Sequence, residues 1–382
     1  MTQVTIIGAG IAGLSLALGC ARRGVDVIVC ERSAVMQAVG AGLTIASSAR
    51  TGLGYLGLGE AIDALAEPPD PAILRDWNTG RPITSREDAA AHLWDVRRVA
   101  RADLQSLLLE HVLATGRVEV RLGQTLVGVE TGDDTATARF ENGESLTSNI
   151  LIGADGARSG VRAALFGDGP PSFTGHIAWR FILPLEAAAS LTDGFGASIT
   201  AGPRGSLTCY TMGQGTQLNC VAITRSDEWA SEGWSEPGDP AALAEIFADA
   251  HPDARALIAM AREGELFRWG LFDRPVTPHW SKGRALLMGD AAHPVLPFLA
   301  FGAGLAIEDA VVLDRALAAY PAAQAFAAFE QARVPRAIAI HAASRAQARA
   351  FELVADWDKD APPPFLDPAI HHYDPVATAI TP

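Results

Sequence analysis

The chain has 382 residues, a length that favours two domains, and 49 % of them are hydrophobic against 19 % charged, which excludes a disordered or coiled-coil protein. The net charge is −14, and no basic run is interleaved with aromatic residues, so we expect neither a nucleic-acid partner nor an anionic membrane surface. The four cysteines form no CxxC pair, which predicts free thiols in a reducing, cytoplasmic compartment.

The first 30 residues follow a strand, helix, strand pattern. The β-rich run 4–7 precedes a glycine-rich turn, segment 11–23 has a helical pattern, and 25–30 is a second apolar run. A βαβ unit of this length implies a crossover connection and a parallel sheet. Segment 4–21 carries no charge, but its four interior glycines argue against a membrane span. We therefore predict an α/β fold without an integral membrane segment.

The rest of the chain indicates that this α/β unit is interrupted. Runs rich in β-formers dominate from about residue 170 to 272, and then a buried strand at 284–288 and alanine-rich helices at 304–357 follow. This order predicts a Rossmann-like nucleotide-binding domain with an inserted β-sheet substrate domain and a C-terminal helical segment. The predicted boundaries are 1–70, 99–168 and 281–358 for the nucleotide-binding domain, 71–98 and 169–280 for the inserted domain, and 359–382 for a tail.

A glycine cluster lies between the first predicted strand and the first helix. Gly8 permits the tight turn, Gly10 lets backbone amides approach a pyrophosphate, and Gly13 lets helix and strand pack closely. Glu31 ends the second strand, where its carboxylate can accept hydrogen bonds from an adenosine ribose. The cluster predicts a dinucleotide site and leaves NAD and FAD open. The predicted cofactor contacts of this region are Gly8, Gly10, Ala12, Gly13, Glu31 and Arg32.

Two aspartates each follow a later buried strand. Asp155 comes after the run 148–153 and Asp290 comes after 284–288, at the end of the strands where open α/β sheets bind ligands. Each carboxylate can bind sugar or ribityl hydroxyl groups, or it can serve its own turn by capping the following amides.

A third glycine cluster, Gly302-Ala303-Gly304, is predicted to begin a helix. The free amides and the positive dipole end of such a helix would stabilise negative charge on a bound ring. Small side chains also leave the backbone open to a flat ligand. We therefore predict that these three residues contact the cofactor.

Together, these clusters resemble the signature of the flavoprotein aromatic hydroxylases, the single-component FAD monooxygenases typified by para-hydroxybenzoate, salicylate and 6-hydroxynicotinate hydroxylases. The resemblance covers most of the chain and includes a family element, His or Ala followed by Arg-x-x-Leu, at 100–104. It implies that the nucleotide-binding domain holds FAD, that Arg101 contacts FAD, and that Asp290 binds the ribityl chain. It also implies that Asp155 supports both FAD and NAD(P)H.

The resemblance implies an activity as well. NADH or NADPH reduces FAD, oxygen adds at the flavin 4a carbon to give a 4a-hydroperoxide, and the distal oxygen is transferred to an electron-rich ring. The implied substrate is a small aromatic compound of the phenolic or hydroxypyridine type. An ionised ring hydroxyl is the better nucleophile, so a pocket that lowers its pKa would speed the transfer. We expect a monomer or a homodimer.

The predicted substrate pocket combines the inserted domain with the loop after the third strand. Tyr210 matches a substrate-contacting tyrosine of the pyridine-acid hydroxylases, or it packs in the core. His293 relays a proton, or it is structural. Pro297 completes the predicted catalytic set, and the pair Trp179-Arg180 is a further candidate for the pocket lining.

Two residues depart from the family pattern. Phe301 stands where close relatives commonly have Gln, which predicts an apolar wall near the flavin. Thr44 stands where the 6-hydroxynicotinate type has a histidine. The exact substrate and the route of its deprotonation therefore stay open.

Three other functions also stay open. An FAD monooxygenase acting on an alkene or a polyketide-like ring would use the same clusters, an NAD(P)-dependent dehydrogenase would use only the first, and an FAD-binding protein need not be an enzyme. The neighbours His371 and His372, with Asp367 and Asp374, lack the helical spacing of metal ligands, so no metal is predicted.

Overall fold

A computed structural model describes residues 3–36, 42–68, 70, 72–84, 96–192, 196–227, 229, 236–353 and 367–382. The first part of the predicted tail, 359–366, lies outside these residues.

The strands and helices of the described residues are as follows. The strands are β1 (Gln3–Ile7), β2 (Asp26–Cys30), β3 (Gly42–Ile45), β4 (Ala72–Asp76), β5 (Arg97–Ala100), β6 (Val118–Arg121), β7 (Leu126–Thr131), β8 (Ala136–Phe140), β9 (Ser145–Ser148), β10 (Ile150–Gly153), β11 (Ser172–Pro184), β12 (Ala197–Gly202), β13 (Gly205–Met212), β14 (Gln217–Arg225), β15 (Glu236–Pro237), β16 (Phe267–Asp273), β17 (Ser281–Lys282) and β18 (Ala285–Leu287). The helices are α1 (Ile11–Arg22), α2 (Ser47–Tyr55), α3 (Gly59–Leu65), α4 (Arg101–Ala114), α5 (Gly160–Phe166), α6 (Leu185–Ala188), α7 (Pro240–Ile246), α8 (Pro252–Ala259), α9 (Gly302–Ala319), α10 (Ala322–Glu352) and α11 (Pro368–His371).

The first sheet carries the predicted βαβ unit. Its six strands lie in the order β17-β18-β10-β1-β2-β6, and all pairs are parallel except the edge pair β17 and β18. The central strands are buried on both faces, which explains their nearly continuous runs of apolar residues. Because β10 and β18 return to this sheet after long excursions, the carboxyl ends of distant segments meet at one edge of it.

The second sheet is mainly antiparallel. Its seven strands lie in the order β15-β16-β11-β14-β13-β12-β4, and β4 is the one strand that pairs in parallel. Alternate residues of β11 face opposite sides. Trp179 and Phe181 belong to an outer cluster with α7 and α8, whereas Ala178 forms an inner cluster with Leu296 from the loop after β18. The inner face of the second sheet therefore packs against the domain that is built on the first sheet. The predicted α/β fold with an inserted sheet is confirmed.

Two smaller sheets complete the described architecture. The antiparallel pair β3 and β5 lies beside the second sheet, and β7, β8 and β9 form a three-stranded sheet. Within the described part of the chain, no helix combines the length and apolar character needed to cross a membrane.

Candidate active site

The first glycine cluster forms the turn that its sequence predicts, between β1 and α1. Gly8 has a left-handed backbone with φ +107°, and a methyl group there would lie 2.4 Å from the carbonyl oxygen of Ala154. A methyl group at Gly13 would lie 2.0 Å from the carbonyl oxygen of Gly8. Only glycine therefore lets α1 and β10 approach this turn so closely, and the fold itself requires both residues.

Gly10 differs from these two glycines because it faces open space. No atom of the described residues lies within 4 Å of a methyl group built there, and Gly10 is the N-cap residue of α1, with no side-chain cap. The first amides of α1 are therefore available to an anion. Ala12, in the same turn of the helix, lies 3.1 Å from a methyl group built at Gly289, so the first glycine cluster meets the turn that carries Asp290.

Glu31 holds the backbone of the glycine turn. Its two carboxylate oxygens accept hydrogen bonds from the amides of Ala9 and Ser33, each at 2.9 Å. Arg32 beside it is exposed. The side-chain amide of Gln105 donates to the carbonyl oxygen of Ala9 at 2.8 Å, a contact that no sequence motif points to. The cofactor contacts predicted for Glu31 and Arg32 stay predictions.

The carboxylate of Asp155 caps its own turn in this structure. Its Oδ1 accepts the hydroxyl of Ser159 at 2.6 Å, and its Oδ2 accepts the amide of Val161 at 3.1 Å at the start of α5. Burial raises the pKa of Asp155, and these hydrogen bonds offset only part of the rise. These bonds fit the turn-capping alternative, and the predicted contact with FAD and NAD(P)H stays a prediction.

Asp290 lies in a comparable turn, but its carboxylate is available. Gly289–Ala291 form a 3₁₀ turn in which Gly289 has φ +58°. Among the described residues the Asp290 carboxylate has no hydrogen-bond partner, and its side chain is exposed. Burial by the surrounding protein nevertheless raises its pKa, against the opposing charges of His293 and Arg101. The Asp290 side chain is therefore accessible although the surrounding protein partly desolvates it, and exposed Arg101 lies close enough to affect its pKa; the space beside these two residues is the cleft.

The third glycine cluster begins α9, as the sequence predicts. Gly302, Ala303 and Gly304 form the first turn of this helix, and no side chain caps it. Within the part of the chain that the structure describes, no atom lies within 4 Å of a methyl group built at Gly302. This is a second helix start with available amides and open space beside it.

The position of Phe301 corrects one expectation. Its ring is 2 % exposed and packs in a buried cluster with Ile340. The guanidinium carbon of Arg336 lies 5.4 Å from the ring centroid, and the His371 ring lies 5.5 Å away. The predicted apolar wall beside the flavin is therefore wrong, because packing with α10 and α11 draws this side chain into the core.

His293 and Pro297 lie in the loop after β18. His293 is 1 % exposed, its Nε2 lies 2.6 Å from Oδ2 of Asp309, and its ring packs 4.9 Å from that of Trp280. Pro297 begins a second 3₁₀ turn and is exposed. The proton relay predicted for His293 and the catalytic role of Pro297 stay predictions.

The inner face of the second sheet places the phenol of Tyr210 near two guanidinium groups. Tyr210 of β13 is 8 % exposed, and a methyl group at Gly42 would lie 2.4 Å from its hydroxyl oxygen. The guanidinium carbon of Arg98 lies 6.0 Å from the Tyr210 ring centroid. Burial raises the pKa of Tyr210, and the charges of Arg98 and Arg180 offset only part of the rise. Arg98, which no sequence motif points to, pairs with Thr44 across β3 and β5.

Trp179 and Arg180 point to opposite faces of β11, so only one of them can line the cleft. Trp179 lies in the outer cluster, which corrects its prediction as a pocket residue. The guanidinium carbon of Arg180 lies 6.0 Å from the ring centroid of Phe267 and 5.6 Å from that of Trp269. Among the described residues Arg180 has neither a hydrogen-bond acceptor nor a carboxylate partner. Burial, followed by the charge of Arg101, lowers its pKa, so Arg180 is an unpaired and desolvated cation.

The cleft fits a flavin dinucleotide. The helix starts at Gly10 and Gly302 offer available amides and open space, which suit a pyrophosphate and a flat ring. Arg101 and Asp290 add an exposed cation and an unpartnered carboxylate near the carboxyl ends of the first sheet. Fold and site together define a dinucleotide-binding protein of the α/β class, with its ligand groups at the carboxyl ends of the first sheet.

Comparison with known proteins identifies the family. The family model described as FAD binding domain matches residues 1–343, and the chain belongs to this family. The 3-amino-4-hydroxybenzoate 2-monooxygenase PtmB3 of Streptomyces platensis is 35 % identical over 362 residues, which cover 92 % of this chain and 89 % of that protein. The 3-hydroxybenzoate 6-hydroxylase 1 of Aquipseudomonas alcaligenes is 35 % identical over 321 residues, which cover 81 % of this chain and 79 % of that protein.

A solved structure shows the same fold. CtdE, in complex with FAD and a substrate, aligns with a TM-score of 0.86 at 24 % identity, over 98 % of this chain and 96 % of that one. The two relatives above are named as a monooxygenase and a hydroxylase, not as dehydrogenases. The protein is therefore an FAD-dependent monooxygenase of the aromatic-hydroxylase family, for which NAD(P)H is the typical co-substrate.

Proposed function

We propose that this monooxygenase hydroxylates a small aromatic substrate, phenolic or of the hydroxypyridine type, that also carries an acidic group. The observation that carries the proposal is Arg180, a buried guanidinium with no carboxylate partner among the described residues. Burying a charge costs free energy unless an opposite charge accompanies it. Arg180 therefore supports a substrate that brings a negative charge into the pocket.

The neighbours of Arg180 support the same substrate class. FAD, when bound, supplies the oxygen transfer with electrons from NAD(P)H. The rings of Phe267 and Trp269 shield the guanidinium of Arg180, which strengthens its attraction for an anion. That charge would lower the pKa of a substrate hydroxyl or carboxyl nearby. Tyr210, whose own pKa is raised by burial, stays protonated at neutral pH and can donate its O–H to a substrate oxygen.

The names of the two relatives agree with this chemistry. A 3-amino-4-hydroxybenzoate and a 3-hydroxybenzoate each carry a ring hydroxyl and a carboxylate. An enzyme for an uncharged alkene or polyketide-like ring would leave Arg180 without a counter-charge. We therefore favour the aromatic acid.

The test is a substrate panel assayed with NADH and with NADPH in separate arms. Hydroxybenzoates and hydroxypyridine carboxylates are compared with their neutral amides, and oxygen consumption and product mass are measured together with nicotinamide oxidation. We expect the acids to stimulate oxidation at lower KM than the amides. Hydroxylation of neutral compounds with no preference for the acids would contradict the substrate class and leave the monooxygenase activity standing.

We also propose the domain division, compartment and oligomeric state given by the sequence. Strand β4, from the segment 71–98, joins the same sheet as β11 to β16, which supports the assignment of that segment to the substrate domain. All four cysteines are free thiols and buried, in keeping with a reducing cytoplasm. Light scattering on the purified holoenzyme would decide between monomer and homodimer.

A further inference from the structure

One buried carboxylate holds both ends of the turn that carries Asp290. Oδ2 of Asp309 accepts the amide of Gly289 at 2.8 Å and lies 2.6 Å from Nε2 of His293. Oδ1 of Asp309 accepts the Nε–H of Arg333 at 2.7 Å. Burial alone would raise the pKa of Asp309, but the charges of His293 and Arg333 lower it to about 2. The carboxylate is therefore ionised throughout the neutral range and accepts on both oxygens.

The turn depends on this outside partner. Gly289 leaves β18 with a left-handed backbone, and its amide bonds to Asp309 instead of to a neighbouring strand. Its carbonyl oxygen accepts the amides of Ala292 and His293, each at 2.9 Å, which closes the turn. Because Gly289 and His293 are both attached to one carboxylate oxygen, the backbone between them is fixed. The carboxylate of Asp290 makes no hydrogen bond to its own turn, in contrast to a capping aspartate.

Asp309 is itself fixed by a buried charge network. Glu308 lies 2.8 Å from Arg333 and 3.1 Å from Arg336, and its Oε1 accepts the hydroxyl of Ser48 at 2.7 Å. Glu308, Asp309 and Arg333 are all 0 % exposed. Glu308 thus shares the helix, the burial and the cationic partner of Asp309, yet among the described residues it makes no hydrogen bond to the turn.

We propose that Asp309 is a positioning residue for FAD. It fixes the turn 289–293 so that the carboxylate of Asp290 is available and already oriented when the cofactor binds. A preordered turn loses no conformational freedom on binding, which raises affinity. This inference concerns the cofactor site and is independent of the substrate class proposed above.

The test uses two isosteric variants in the same network, Asp309→Asn and Glu308→Gln. Both remove one buried negative charge, so we expect both to lower the melting temperature of the apoprotein. FAD affinity is measured by titrating apoprotein and following the quenching of flavin fluorescence. We expect the FAD Kd to rise at least about tenfold in Asp309→Asn and to stay within about threefold of wild type in Glu308→Gln. An equal rise in both variants would show a merely structural role and overturn the inference.

A double variant tests whether Asp309 acts through Asp290. In an Asp290→Ala background, Asp309→Asn should raise the FAD Kd by less than about threefold further, because the group that it positions is already absent. Additive losses would overturn the inference. If Asp309→Asn does not fold, the deciding variant is His293→Phe, which detaches one end of the turn and keeps an aromatic ring against Trp280. We expect an FAD Kd about fivefold higher, and an unchanged Kd would overturn the inference.

Discussion

Two turns of this protein begin with the same sequence pattern and end with different roles. Asp155 and Asp290 each follow a buried strand of the first sheet and a glycine-containing turn. The carboxylate of Asp155 is occupied by Ser159 and Val161, whereas that of Asp290 is available because Asp309 holds its turn from outside. A carboxylate that accepts hydrogen bonds from its own turn has fewer lone pairs left for a ligand. When a second residue supports the turn, the carboxylate within the turn therefore stays available to a ligand.

Substitutions in the first glycine turn are expected to have the largest effects on FAD binding and on stability. Gly13→Ala should abolish FAD retention and destabilise the apoprotein, because its methyl group would lie 2.0 Å from the carbonyl oxygen of Gly8. Gly10→Ala is the matched control, since its methyl group would meet no atom of the described residues within 4 Å. We expect Gly10→Ala to fold with a wild-type melting temperature and to bind FAD at least about tenfold more weakly. Equal stability losses in both variants would show that Gly10 is structural too.

Substitutions of the two aspartates should have different effects, on FAD affinity for Asp290 and on stability for Asp155. Asp290→Ala should raise the FAD Kd about 30-fold, because it removes hydrogen bonds from a charged acceptor, and should leave the apoprotein melting temperature unchanged. Asp155→Ala should lower the free energy of unfolding by about 1–2 kcal/mol, because it removes the support of the α5 start. Fluorescence titration and thermal unfolding of both apoproteins check this. An Asp290→Ala variant that purifies fully loaded with FAD would remove Asp290 from the cofactor site.

The same distinction applies to two arginines of the second sheet. Arg180 has an available guanidinium, whereas Arg268 stacks 5.5 Å from Trp179 and 5.4 Å from Trp229 on the outer face. Arg180→Gln should lower kcat/KM for an aromatic acid about 30-fold, mainly through KM, and should affect its neutral amide by less than about threefold. Arg268→Gln should leave both values within about threefold. Similar losses for acid and amide in Arg180→Gln would argue against an anion contact.

Tyr210→Phe is expected to have the smallest effect. Losing one neutral hydrogen bond to the substrate should lower kcat/KM about fivefold. Because burial raises the pKa of Tyr210 above its ordinary value near 10, this hydroxyl stays protonated as the pH rises from 6 to 9. The shape of the pH profile over that range should therefore be the same in Tyr210→Phe and wild type. A limb of the profile that disappears in the variant would show that Tyr210 titrates during catalysis.

The prediction from sequence succeeded where a backbone requirement determines the residue. The positions of Gly8 and Gly13 need glycine because a side chain there would collide with the main chain, and the β1-α1-β2 unit has the pattern of a buried parallel sheet. The resemblance to FAD monooxygenases rested on these positions, and the family match confirms it. The substrate side was harder to predict. Trp179 and Arg180 are neighbours in sequence, and only the pairing of β11 decides which one faces the cleft.

The sequence by itself determined the class of the protein, because a dinucleotide turn is local and its glycines are fixed by nearby backbone atoms. Only the tertiary structure decided which polar groups are available for a ligand. Asp290 is available because Asp309, 19 residues later on another element, binds its turn, and Phe301 is buried because α10 and α11 pack against it. Whether a side chain is occupied or available depends on partners that distant segments bring, and a local pattern does not contain that information.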